Sequence, residues 1–262
     1  MRKDDKTMNF DMFSLKDKIA LVTGGSRGLG QAMAIGLAEA GANVVITSRK
    51  MSSLRETTNL INKVGITPQL MELDVEDVPS MQFKIAELVQ SRGCIDVLVN
   101  NAGYEEVCSS LEIEEDLWDK INRTNLKGAF FCAQEVARSM VSNGGGSIIN
   151  LCSLTSYVGV PTAVPYTSTK SGLLGMTRAL ATEWAKYNIR VNGIAPGYFR
   201  TELTDEFYKD EGWRKKMLAS IPLGAFGDAN DLKGIAVFLA SDSSKYITGQ
   251  CLAIDGGFLA SI

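Results

Sequence analysis

Lys18-Ile19-Ala20-Leu21-Val22 runs without interruption into Thr23-Gly24-Gly25-Ser26-Arg27-Gly28-Leu29-Gly30, and apolar residues at Ala32, Ile35, Leu37 and Ala38 follow at once. The first run reads as a buried strand, and the 3–4 spacing after it reads as a helix. A strand that turns through glycines directly into a helix builds a cradle for phosphate. The glycines let the backbone approach the anion, and the amide groups at the helix N-terminus meet its charge. A plain tight turn would use the same residues, so the rest of the chain has to decide between the two.

The alternation continues. Further strands are expected at Val44–Ile46, Pro68–Leu73, Ile95–Val99, Ser147–Leu151, Ile189–Ile194 and Leu252–Ile254. Between them lie helical patterns at Leu54–Val64, at Glu114–Met140 as one long helix, after Pro165, and at Asp231–Ala240. Seven strands alternating with helices predict α/β architecture, a single doubly wound parallel sheet. With no repeat or linker, residues 1–262 are expected to form one domain. The polar, Met-rich residues 1–14 read as an arm, and 198–222, where Glu202 to Pro222 break the alternation, read as a lid over a substrate.

Composition narrows the chemistry. A net charge of -3 and the absence of a basic stripe argue against a nucleic-acid surface. Met1 to Asp17 lacks the apolar core of a signal peptide, and no run of about 18 apolar residues follows, so no membrane partner and a cytoplasmic location are expected. The five cysteines, Cys94, Cys108, Cys132, Cys152 and Cys251, form no C-x-x-C and read as small buried thiols, with no metal site. The chain has no histidine, which excludes imidazole acid–base chemistry and leaves proton transfer to Tyr, Lys, Asp, Glu or Cys.

Tyr166 and Lys170 then gain weight. Four residues apart at the start of a helix, they share one face, and an ammonium near a phenol favours the phenolate. The same spacing also describes an exposed surface pair. Ser153, at the end of the fifth strand, supplies a third polar group. After the second strand comes Thr47-Ser48-Arg49-Lys50, where an acidic residue would serve a free ribose 2′-hydroxyl; Arg49, helped by Ser48 and Arg27, attracts a 2′-phosphate and points to NADP over NAD. Solvated turn residues would leave that choice open. Asp74, beside Val75, either reaches an adenine amine or caps the helix near Asp77. Asn100-Asn101-Ala102-Gly103 follows the fourth strand with residues small enough for a flat ring to approach, and Asn125 lies unfavourably inside the long helix, which points to a local hydrogen-bonding role.

Together T-G-x-x-x-G-x-G at Thr23–Gly30, N-N-A-G at Asn100–Gly103, Asn125, Ser153, Y-x-x-x-K at Tyr166–Lys170 and Pro196-Gly197 resemble the short-chain dehydrogenase/reductase family over about Leu15 to Ala260. The resemblance implies a Rossmann fold and hydride transfer between a nicotinamide and a secondary alcohol or ketone. It implies Tyr166 as acid/base, Ser153 on the substrate oxygen, Lys170 on the ribose and lowering the Tyr166 pKa, and Asn125 beside a relay water. It also implies cofactor contacts from Gly24, Ser26, Arg27, Gly28, Leu29, Gly30, Ser48, Arg49, Asp74, Val75, Asn101, Ala102, Gly103, Pro196, Gly197, Phe199 and Thr201. Cys152 stands where many members carry a second serine. The text from Thr177 to Tyr198 and the ending D-G-G-F-L-A look most like the gluconate 5-dehydrogenase branch, which acts on sugar acids. Thr155, Tyr157, Tyr104 and Tyr198 are the polar candidates for such a substrate. Reduction of 3-oxoacyl groups on a carrier protein is the alternative, although the loop Ser139–Gly146 lacks the basic side chains that an acidic carrier would seek. A cofactor-binding regulator without turnover would be favoured by a lost Tyr or Lys, and both are present. Relatives of this kind are commonly homotetramers.

Overall fold

Val97-Leu98-Val99-Asn100 is buried along its whole length, as a parallel strand covered by helices on both faces must be. The computed structural model describes residues 10–200 and 207–262. In it this strand is β4, set among β1 (Ile19–Val22), β2 (Asn43–Ser48), β3 (Gln69–Glu72), β5 (Gly146–Leu151), β6 (Ile189–Pro196) and β7 (Cys251–Ile254). They form one sheet in the order β3-β2-β1-β4-β5-β6-β7, and each neighbouring pair is parallel. From β1 the chain first steps outward to β2 and β3, then returns to the other side of β1 to start β4. The carboxyl ends of β1 and β4, in register at Val22 and Val99, therefore diverge into a crevice.

The helices are α1 (Gly28–Glu39), α2 (Arg55–Asn62), α3 (Val78–Arg92), α4 (Glu115–Asn122), α5 (Ala129–Ser142), α6 (Val164–Trp184), α7 (Glu211–Ser220) and α8 (Asp231–Ala240). On one face Met33 and Leu37 of α1 and Leu232 and Leu239 of α8 pack with Val22 and Ile46. On the other, Ile85 of α3, Val136 of α5 and Leu180 of α6 pack with Leu21, Leu98 and Ile148. Among the described residues no helix is long and apolar enough to cross a membrane.

Two expectations change. The long helix expected at Glu114–Met140 is interrupted by a π-helical segment, Arg123–Gly128, that separates α4 from α5. Gly128, the last residue of that segment, lies where a Cβ would meet the Val75 carbonyl oxygen at 2.7 Å. β6 runs past Ile194 to Pro196 because Ala195 and Pro196 still pair with Ala253 and Ile254. Residues 1–9 of the expected arm lie outside the described residues, while Phe10–Phe13 forms a 3₁₀ turn and the Leu15 amide donates to the Ala40 carbonyl at 2.8 Å.

A buried polar ladder ties β4, β5 and α6 together. Asn100 Nδ2 donates to Asn150 Oδ1 at 3.0 Å and to the Ala129 carbonyl at 3.1 Å, and Asn150 Nδ2 donates to Thr177 Oγ1 at 2.9 Å. Buried amides require such partners. Here they fix the height of α6 against the strand ends that carry the site.

Candidate active site

α6 begins with Pro165 in its first turn, where a missing N–H costs nothing. Tyr166 and Lys170 follow on one face, and the Lys170 Nζ lies 5.4 Å from the Tyr166 ring centroid. Ser153 follows β5 and opens a short 3₁₀ turn; its Oγ accepts from the Thr155 amide at 3.2 Å. These three residues line one end of a cavity of about 770 Å³. The spacing that also fits a surface pair is in fact a buried one, with Lys170 4% exposed.

The electrostatics differ from the simple expectation that Lys170 acidifies the phenol. Lys170 Nζ donates to the Leu151 carbonyl at 2.6 Å, and burial lowers its pKa. Burial pushes the Tyr166 phenol well above its ordinary range. The charge of Glu105 adds to that, while the nearby Ser153 hydroxyl pulls the other way. Burial and the Glu105 charge thus both favour the neutral phenol over the phenolate.

Asn125 sits in the π-helical segment and acts on a neighbouring loop. Its Oδ1 accepts from the Tyr104 amide at 2.7 Å, and its Nδ2 donates to the Tyr104 carbonyl at 2.9 Å and to Thr169 Oγ1 at 3.3 Å. The amide expected beside a relay water thus clamps the N-N-A-G loop to α6 through side-chain bonds. π-turns recur at functional sites because they re-aim a side chain in this way.

The other end of the cavity is the glycine cradle. Asn101 Nδ2 donates to the Thr23 and Gly24 carbonyls at 2.9 and 3.0 Å, joining the loops after β1 and β4. A Cβ on Gly30 would collide with the Asn101 side-chain amide and meet the Gly24 carbonyl oxygen at 2.5 Å. The first amides of α1 receive no side-chain cap from Arg27. A dinucleotide fits this cradle: an open helix N-terminus faces it, the glycines keep it clear, and Ser48 and Arg49 line it at the end of β2.

All the cofactor contacts expected from the sequence line this cavity except Thr201, which lies outside the described residues. Asp74 lines it too, but Asp77 caps α3 by accepting from the Ser80 amide, while Asp74 accepts from the Glu76 amide at 3.0 Å. Thr155, Tyr104 and Tyr198 line the substrate end. The Tyr104 hydroxyl is taken by Glu106 and its ring lies 3.8 Å beneath the Lys120 Nζ, so it offers a wall rather than a donor. Tyr157 does not line the cavity; its hydroxyl reaches the Cys251 carbonyl at 3.3 Å. Cys132 and Cys152 are buried as expected, whereas Cys94, Cys108 and Cys251 are partly exposed. Sequence reasoning missed Glu105, Tyr208, Trp213 and Lys216, which also line the cavity. The last three come from the segment without strand–helix alternation, and Glu105 comes from a loop without periodicity.

The family model described as "Enoyl-(Acyl carrier protein) reductase" matches residues 24–259. The 2-dehydro-3-deoxy-D-gluconate 5-dehydrogenase of Dickeya dadantii (strain 3937) is 42% identical over 254 residues, 97% of this chain and 100% of that protein. This chain belongs to the short-chain dehydrogenase/reductase family. Among solved structures, a candidate short-chain alcohol dehydrogenase from Sinorhizobium meliloti 1021 is 56% identical with a TM-score of 0.93, covering 96% of this chain and 100% of that one. A gluconate 5-dehydrogenase from Burkholderia cenocepacia J2315, solved with NADP and tartrate, is 38% identical with a TM-score of 0.93, covering 96% and 99%.

Proposed function

We propose that this chain is an NADP-dependent oxidoreductase that interconverts a secondary alcohol and a ketone on a small polyhydroxylated molecule, a sugar acid or polyol. The observation that carries this reading is the convergence of Ser153, Tyr166 and Lys170 at one end of the cavity whose other end is the glycine cradle. The relatives named for gluconate and deoxygluconate dehydrogenation support the substrate class, and the Arg49 and Ser48 lining supports a 2′-phosphate. A bound nicotinamide supplies or accepts the hydride.

The protein's part is to hold an oxygen and move a proton. Ser153 Oγ holds the substrate oxygen, and the Tyr166 hydroxyl donates its proton to that oxygen as a carbonyl is reduced. In oxidation the phenolate takes the proton back. Lys170, fixed by the Leu151 carbonyl, supports the ribose and the phenolate; Asn125 holds the loop that closes the site.

The loop Ser139–Gly146 carries no basic side chain for an acidic carrier protein, which disfavours the 3-oxoacyl alternative. The reading extends to one catalytic domain over 1–262 with 198–222 as its lid, of which 201–206 lie outside the described residues, a cytoplasmic location, and a homotetramer. Light scattering after size exclusion tests the last: a monomer would refute it. Tyr166→Phe tests the mechanism. Turnover should fall about 1,000-fold while NADPH still binds, in line with the contribution of a positioned acid; near-normal kcat would refute the assignment.

A further inference from the structure

Glu105 is the one carboxylate lining the substrate end of the cavity among the described residues, beside Tyr166, Lys170 and Ser153. Its place is fixed from behind. Asn125 grips the amide and the carbonyl of the preceding Tyr104, so the chain enters Glu105 on a pinned backbone. The carboxylate forms no hydrogen bond or ion pair of its own, and Lys170, whose charge reaches it, is held by the Leu151 carbonyl. Its charge nevertheless reaches both groups that flank the reacting carbon: it opposes ionisation of Tyr166 and favours the charged form of Lys170. Burial pushes the carboxyl above its usual range, and Lys170 draws it back.

The other titratable side chains that line this end among the described residues are the phenols of Tyr104, Tyr166, Tyr198 and Tyr208, the Cys152 thiol, and Lys216 on α7. Lys120 Nζ lies over the Tyr104 ring and is occupied there. A half-buried carboxylate without partners seeks donors and repels anions.

We propose that Glu105 determines specificity by accepting a hydroxyl on the carbon next to the reacting one and by turning away a carboxylate at that position. This rests on the polyhydroxylated-substrate reading above and adds an orientation to it. A sugar acid enters with its carboxylate away from the Tyr166 end, on the side of Lys216, and reacts at a carbon flanked by hydroxyl-bearing carbons.

The test uses isomers of equal charge and size. In 5-ketogluconate the carbonyl is flanked by hydroxyl-bearing carbons; in 2-ketogluconate it adjoins the carboxylate. Dihydroxyacetone and hydroxypyruvate carry the contrast beyond the sugar chain; they differ in charge, so the change in their ratio between wild type and Glu105→Gln is what is read. NADPH oxidation is followed for the wild type, Glu105→Gln and Glu105→Ser, with thermal melting and NADPH binding to establish that each variant is folded. The wild type should favour the hydroxyl-flanked member of a pair by roughly 100-fold or more in kcat/KM. Glu105→Gln should shrink that ratio about tenfold, mostly by gain on the carboxylate-flanked member, and should move the alkaline pH profile of alcohol oxidation to lower pH as the phenol loses its negative neighbour.

Equal rates on both members by the wild type, or an unchanged ratio in both variants, would overturn the proposal. If both sugar acids are inert while dihydroxyacetone keeps its Glu105-dependent advantage over hydroxypyruvate, the proposal stands and the sugar-acid reading falls. Inertness toward all four overturns both.

Discussion

Gly30→Ala pits helix propensity against packing, and the structure predicts which wins. Gly30 is the third residue of α1, so by propensity alone alanine should stabilise the protein by about 1 kcal/mol. Its backbone has an ordinary negative-φ helical geometry, which removes strain from the comparison. The added methyl, however, would overlap the Asn101 side chain and lie 2.5 Å from the Gly24 carbonyl oxygen. Displacing Asn101 breaks its bonds to the Thr23 and Gly24 carbonyls, each worth about 1 kcal/mol. Pushing the Gly24 carbonyl aside adds about 1–3 kcal/mol of overpacking. The net is a loss of about 2–4 kcal/mol, and at about 2–4 °C per kcal/mol for a chain of this size Tm should fall by roughly 5–15 °C. Affinity for NADPH, read by fluorescence titration, should fall in parallel because the disturbed carbonyls shape the cradle. A companion Asn101→Ala variant should recover only part of the loss, since the Gly24 carbonyl remains in the way. A Tm equal to or above wild type with unchanged NADPH affinity would refute the packing argument.

Arg49→Asp should reverse the cofactor preference, raising the NADH to NADPH ratio of kcat/KM by at least about tenfold, because the acid repels a 2′-phosphate and suits a free ribose; an unchanged ratio counts against the assignment. Asn150→Ala removes the middle of the buried ladder between Asn100 and Thr177 and should cost about 2–4 kcal/mol in denaturant unfolding, with little change in the slope. Burial and Glu105 hold the Tyr166 phenol neutral, so its active base form gains population only as pH rises. Alcohol oxidation should therefore climb through the alkaline range while carbonyl reduction stays flat at neutral pH, and a plateau of oxidation below pH 8 would contradict the shift.

The fold was legible because parallel strands buried on both faces read as unbroken apolar runs such as Ile19–Val22, followed by Thr23-Gly24, and Val97–Val99, followed by Asn100. Strand ends were less so. Pro196 looks like a terminator, yet it stays in register with Ile254, where the pairing of β6 with β5 has already ended at Ile194 and no ladder bond on that side is lost. The break at Arg123–Gly128 left one small trace, the step of five from Ile121 to Leu126 between the helical steps of four from Leu117 to Ile121 and from Leu126 to Phe130. At its end Gly128 lies against Val75, a tertiary contact between distant segments.

The site shows the same division. Tyr166, Lys170, Ser153 and the glycines were legible because the chemistry demands those residue types at those places. Their electrostatic balance was not, because it depends on Leu151 holding the Lys170 ammonium and on Glu105 arriving from another loop. Asn125 joins the two levels. A polar residue inside an apolar helical pattern announces that it has a partner, and the partner turns out to be the backbone of Tyr104, reached because the π-turn rotates the side chain toward the loop after β4. The irregular helix thereby fixes the residue after Tyr104, and that residue carries the only carboxylate at the substrate end among the described residues. The hydrogen bonds of Asn125 thus fix the backbone that brings a charge into the cavity.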